Sequence, residues 1–193
     1  MIGPILRGAD PADFERATAC DGGTVRDVMA HCAAALTRTA SGDVHDFSPA
    51  SNQADVDARR HLTVGDVLAE LLRGYEDAAV AIDKAGGVLD GVGLGEWMHG
   101  GDIREALGLA GAYASEGIDL ALGLLVERSR RMEKPGVRVR LPGGDLEFGT
   151  GRLAGMVTTD RETFVRICGG RTPDPARFYN EGDVAIAAMV LFS

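Results

Sequence analysis

Two Thr-x-x-Asp openings, each running into a long apolar stripe, constrain this fold more than any other feature of the chain. Thr24-Val-Arg-Asp27 and Thr63-Val-Gly-Asp66 are capping boxes with Asp where Glu is usual. In such a box the threonine hydroxyl serves an orphan N–H of the first turn, and the acid reaches back to the cap. After the first box, Val25, Val28, Met29, Cys32 and Leu36 recur at helical spacing and predict a helix over 24–39. After the second, Val64, Val67, Leu68, Leu71, Tyr75, Ala78 and Ile82 predict a helix over 63–84.

The remaining chain divides around these helices. Residues 9–23 read as an irregular lead-in with a short helix near 11–18. The polar stretch 41–60 reads as loop or weak helix. The glycine-rich run 86–95 reads as a loop; it follows a helix and lacks the ending of a phosphate cradle. A third helix is expected over 94–107, stopped by Gly108 and Gly111, and a fourth from near Ser115 to Met132. The period then changes. Val137-Arg-Val-Arg-Leu141 alternates as a strand does, 142–145 is a turn, and 146–148 is its hairpin partner. A short strand at 156–159, a helix at 161–168 capped by Asp160, and a closing apolar strand at 185–192 complete the reading. The expectation is an α+β chain: an all-helical part over 1–134 and a small α+β part over 135–193.

Composition excludes several functions. The 193 residues carry a formal net charge of -9, and no basic stripe is present to neutralise phosphates, so no nucleic-acid partner is expected. No apolar run is long enough to span a bilayer, and the N-terminal apolar segment is too short for a signal peptide. The three cysteines (Cys20, Cys32, Cys168) are odd in number and form no C-x-x-C pair. Neither a disulfide framework nor a thiolate zinc site is indicated, and a reducing cytoplasm is expected.

The chemistry-bearing stretch is Glu96-Trp-Met-His99-Gly-Gly-Asp102. A carboxylate and an imidazole three residues apart share one helix face. A second imidazole from another helix, His31, would complete a three-ligand metal site with an open position. Each member also has an ordinary explanation. His31 sits at the margin of an apolar stripe, and Glu-x-x-His is a common surface pair. His45 and His61 are expected in water. Asp102 is either an exposed ion-pair partner or an acceptor or base beside the metal. Cys32 points away from His31 and reads as core. Arg161, Arg166 and Arg171 either cap carbonyls or hold the polar groups of a ligand.

At these residues the chain resembles the mycothiol-dependent maleylpyruvate isomerase family, a branch of the DinB-like bundles. Cys20-Asp-Gly-Gly-Thr24-Val-Arg-Asp-Val-Met-Ala-His31 is similar to its first ligand helix, and Met98-His99-Gly-Gly-Asp102-Ile-Arg-Glu-Ala-Leu-Gly108 to its second ligand segment. Val157-Thr-Thr-Asp160-Arg-Glu-Thr-Phe-Val-Arg-Ile-Cys-Gly-Gly-Arg171 is similar to its small sterol-carrier-like C-terminal domain. The resemblance implies a four-helix bundle and a metal site, zinc by type, held by His31, His99 and an acidic residue, here Glu96. It implies mycothiol as cosubstrate, an actinobacterial host, Asp102 as a functional acid, and an arginine of the C-terminal part, Arg171 with Arg166 beside it, at the thiol or substrate.

The chain departs from the family pattern at three places. The acid is Glu96, three residues before His99, whereas the family's position four residues before is Gly95. Gly23 stands where the family has Trp. The family's long first helix is nearly absent, so the expectation is an incomplete bundle, one that borrows a helix from a partner, or a truncated start; an open bundle would expose apolar surface, which favours a homodimer. The expected function is a metal-dependent, thiol-using isomerase or S-transferase acting on a small electrophile. The rivals are a non-catalytic binding protein with a degraded metal site, and a metal-dependent hydrolase on the same bundle. Two histidines and one carboxylate suit zinc, nickel or iron.

Overall fold

The computed structural model describes residues 2–20 and 22–192. Asp21, part of the Cys20–His31 motif, lies outside the described residues. The chain divides into two compact units, one ending at Ala110 and the other beginning at Gly111.

The first unit is helical: α1 (Gly3–Arg7), a 3-10 turn at Pro11–Glu15, α2 (Val25–Ser41), α3 (Pro49–Ala58), α4 (Val64–Lys84) and α5 (Asp90–Ala106). Both capping boxes form. Thr24 and Thr63 accept from the backbone N–H of Asp27 and Asp66, and each aspartate accepts from the cap N–H in return. Gly42, in the left-handed conformation at φ 80°, ends α2. Val25, Met29, Val67 and Leu71 are fully buried where the stripes of α2 and α4 meet, and Ile103 of α5 joins the same cluster. Each such side chain contributes about 1.5–3 kcal/mol by leaving water. α1 is only five residues long, and its Leu6 is buried in that cluster.

Two segments differ from expectation. The polar stretch after α2 contains a regular helix, α3, whose low apolar content gave little sequence signal. Ser48 caps it, and Arg38 of α2 holds it in place. The Arg38 guanidinium donates to Ser51 Oγ at 3.0 Å, to Asp55 Oδ2 at 3.1 Å and to the Asp46 carbonyl, and lies 4.9 Å from the Phe47 ring centroid. Arg59 then ties the far end of α3 to Glu70 of α4 through two hydrogen bonds, 2.6 and 3.0 Å long. α5 also begins at Asp90, inside the run expected to be loop.

The second unit contains α6 (Ile118–Arg131), β1 (Pro135–Leu141), β2 (Gly144–Phe148), β3 (Thr150–Thr159), α7 (Arg161–Cys168) and β4 (Phe178–Gly182). The four strands form one sheet in the order β2-β1-β3-β4. β1 pairs antiparallel with β2 and parallel with β3, and β3 pairs antiparallel with β4. Val137, Val139 and Val157 are buried on one face, while Arg138 and Arg140 pair with Glu147 and Asp145 at the surface. α7 covers the buried face, with Phe164 edge-on to Phe148 at 6.1 Å.

The expected division at residue 134 therefore falls at Ala110 instead, and α6 belongs with the sheet. Ser129 of α6 accepts from the Gly149 N–H at 2.7 Å, binding the helix to the chain beyond β2. The expected closing strand over 185–192 is instead a 3-10 turn at Ile186–Met189. Its Met189 and the following Leu191 are buried, and the Leu191 N–H bonds the Cys168 carbonyl at the end of α7. The fourth strand is the mostly exposed β4. It is joined to β3 through its backbone, so its side chains announce little.

The close approach of α2 and α4 is made at Gly74, where a Cβ would stand 2.8 Å from Leu36 Cβ. Gly74→Ala is expected to lower stability by about 1–3 kcal/mol, because overpacking outweighs the gain in helix propensity. Gly95→Ala, whose Cβ would meet nothing within 4 Å, should be neutral or stabilising by up to about 1 kcal/mol. Urea unfolding of the two variants checks the contrast, and equal effects would refute the tight approach.

Candidate metal-binding site

α2 and α5 carry the titratable residues singled out from sequence, and a turn before α2 adds one more. His31 lies midway along α2, facing α5. Its ring meets that of His99 edge to face, with centroids 5.0 Å apart. One turn further along α5, Asp102 is completely buried, and its Oδ2 lies 3.0 Å from His99 Nδ1. The exposed ion-pair explanation for Asp102 is therefore excluded. A carboxylate on one ring nitrogen fixes the orientation of the imidazole and leaves the other nitrogen to face a ligand.

The environments push the two histidines apart. Burial lowers His31 to about 4, and the neighbouring His99 adds to that effect against a weaker opposing pull from Asp55. Burial also works against charge on His99, but the hydrogen bonds it donates to Asp102 and Cys20 outweigh it and raise His99 to about 9. His31 is thus neutral, the form in which a histidine serves as a metal ligand.

Glu96 is buried, at 7 % exposure, and its Oε2 has no hydrogen-bond partner. Burial pushes its carboxyl up to about 7, with His99 and a hydrogen bond to Cys32 pulling the other way. Cys32 is a buried core thiol, as its place on the helix implies, and burial raises it well above the ordinary thiol range. His45 and His61 are exposed.

Among the described residues, one group of His, Cys, Asp and Glu side chains has ligand atoms all within 4.8 Å of one another: Cys20, His99 and Asp102. His31, Glu96 and His99 do not form such a group, although His31 and His99 touch. Sequence reasoning missed Cys20 because no C-x-x-C pair pointed to a thiolate site. The turn that carries it is fixed by Thr18, whose hydroxyl donates to the Gly23 carbonyl at 2.8 Å and accepts from the Cys20 N–H at 3.2 Å.

Arg166 and Arg171 lie in the second unit, where both serve the end of α7. Arg166 donates to the Thr172 carbonyl at 3.0 Å, with its guanidinium 5.5 Å from the Tyr113 ring centroid. Arg171 is buried and donates to the Gly169 carbonyl.

The raised His99 predicts a pH dependence. A histidine held above its ordinary 6.5 contributes stability fully below that value and loses it as the pH rises through about 9. In chelator-treated protein, wild type is expected to lose stability across that window, while Asp102→Asn loses much less. Denaturant unfolding at successive pH values checks this, and parallel curves for the two proteins would overturn the assigned role of Asp102.

The sequence pattern of the mycothiol maleylpyruvate isomerase N-terminal domain matches residues 4–107. A search of curated proteins finds no match. Two solved structures share the fold. One is a crystal structure of the mycothiol-dependent maleylpyruvate isomerase, with a TM-score of 0.58 at 16% identity, covering 95% of this chain and 88% of that one. The other is a mutant of the mycothiol-dependent maleylpyruvate isomerase, with a TM-score of 0.56 at 15% identity and the same coverage. With more than half of its length matched by the domain pattern, the chain belongs to the mycothiol maleylpyruvate isomerase N-terminal domain family.

Proposed function

We propose that this chain is an enzyme that uses mycothiol, a low-molecular-weight thiol, together with a bound divalent metal, zinc by preference, to isomerise or S-conjugate a small electrophile. The carrying observation is the half-buried His31–His99 pair. Two imidazoles bound to one tetrahedral ion through metal–nitrogen bonds of about 2.0–2.1 Å hold their ring centroids about 5 Å apart. The observed 5.0 Å fits that spacing.

The donor set also suits a cation. A buried carboxylate oxygen left without a partner costs about 1–3 kcal/mol, and an ion or a proton relieves that cost. Glu96 Oε2 is such an atom. We assign His31 and His99 as ligands, completed by an anionic side chain of the same site. A zinc-type ion there supplies the Lewis acidity that keeps a thiol ionised near neutral pH.

The chain's own residues do the rest. Asp102 holds His99 by Nδ1, so that its other nitrogen stays aimed at the site. Glu96, near pH 7 in its titration, holds the proton that a thiol gives up and returns it at the end of the cycle. In an isomerisation, thiolate addition turns a double bond into a single bond, rotation follows, and expulsion of the thiol restores the double bond. In an S-transfer, the adduct is the product. The fold that this chain shares with the mycothiol-dependent maleylpyruvate isomerase supports the first, with a maleylpyruvate-like cis-alkene as substrate.

The test is elemental analysis of wild type and His99→Ala purified without chelator, followed by an isomerisation assay on maleylpyruvate with and without mycothiol. Near-stoichiometric metal in wild type, its loss in His99→Ala, and turnover that needs the thiol are expected, with His99→Ala reduced about a hundredfold or more. Wild type that takes up no metal even after incubation with zinc, and shows no thiol-dependent turnover, would refute the proposal.

A further inference from the structure

Cys20 is the residue that the sequence motifs and the family resemblance leave without a task. It is partly exposed, whereas Cys32 and Cys168 are buried. Thr18 and the Ala17–Thr24 bridge hold its turn beside α2. Its sulfur lies within 4.8 Å of ligand atoms of both His99 and Asp102.

We propose that Cys20 is the anionic ligand of this site, so that the metal is held by Cys20, His31 and His99 while Asp102 orients His99. This inference rests on the metal reading above and names the third ligand within it.

Three observations carry the assignment. First, His99 is common to both pairings: its ring packs on His31, and one of its ring nitrogens falls in the group with Cys20. With Nδ1 engaged by Asp102, one ring nitrogen remains for a metal. Second, sulfur and nitrogen donors on one tetrahedral ion lie about 3.5 Å apart, given metal–sulfur and metal–nitrogen bonds of about 2.3 and 2.0–2.1 Å. The Cys20 and His99 ligand atoms lie within 4.8 Å of each other, so a side-chain adjustment brings them to that value. Third, Glu96 is turned toward Cys32, with which it shares a hydrogen bond; neither it nor His31 is in the close group, but the His31 ring packs against that of His99. The one-residue shift of the acid from position 95 to 96 is thereby answered: the carboxylate has left the ligand position, and a thiolate from the preceding turn supplies the negative charge. Three protein ligands leave the fourth position open for the thiol cosubstrate.

Cobalt(II) titration of chelator-stripped full-length protein tests this. A cobalt–thiolate bond gives an intense near-ultraviolet charge-transfer band, while the visible d–d bands report bound cobalt whatever its ligands. Wild type should show both, saturating at stoichiometric metal. Cys20→Ser should keep the d–d bands and lose the charge-transfer band, while Cys32→Ala and Glu96→Gln should keep it. As a measurement that needs no variant, zinc should slow alkylation of wild-type Cys20 by iodoacetamide at least about tenfold. Visible bands with no charge-transfer band in wild type would overturn the Cys20 assignment and leave the metal reading standing. A band that disappears in Cys32→Ala and survives in Cys20→Ser would also overturn it. No bound cobalt or zinc at saturation would overturn both readings together.

Discussion

The meeting of α2 with α4 is the contact on which the first unit depends. Gly74 lets the two helices approach until Leu36 fills the space where a side chain would stand, and fully buried Val25, Met29, Val67 and Leu71 close the seam. That seam fixes the rotation of α2 about its own axis. Because His31 lies off the seam, the rotation that buries the stripe also turns its imidazole toward α5. Packing and site geometry are thus one constraint: the helix that the seam positions carries the ring that stands 5.0 Å from His99.

α5 contributes differently. Its apolar side chains are few, but Glu96 and Asp102 are both buried on it. Burying two carboxylates on one helix is costly unless each finds a partner. Asp102 finds His99. Glu96 finds only part of its complement, in Cys32, and keeps an oxygen unsatisfied. A structural helix has no need of such a face, whereas a site for a cation or a proton does. The opposed shifts of His31 and His99 follow from the same placement: desolvation prevails at one ring, and an anionic hydrogen-bond partner prevails at the other.

The arginines illustrate how one residue type takes different roles. Arg38 organises α3 through contacts reaching from Asp46 to Asp55, so a polar stretch with almost no apolar periodicity becomes a helix. Arg166 and Arg171 close the end of α7. Nothing in their sequence spacing separates these cases, since a guanidinium serves carbonyls and carboxylates equally well.

What the sequence determined by itself was local or periodic. The two capping boxes, the stripes of α2 and α4, the alternation of β1 and the Asp160 cap of α7 are short-range patterns, and each formed close to its expected bounds. The pairing of His31 with His99 was legible through the family motifs that carry them. Tertiary structure decided what depends on contacts distant in the chain: α3, which exists through Arg38 and Arg59; the assignment of α6 to the sheet; and β4, joined by its backbone alone. It also decided the membership of the site. Cys20 reaches His99 only because a turn held by Thr18 folds back against the helices, and Glu96 turns toward Cys32 because helix rotation is set by the whole apolar face. Periodicity gives the face on which a residue lies, but the partner across that face is fixed only when the elements pack.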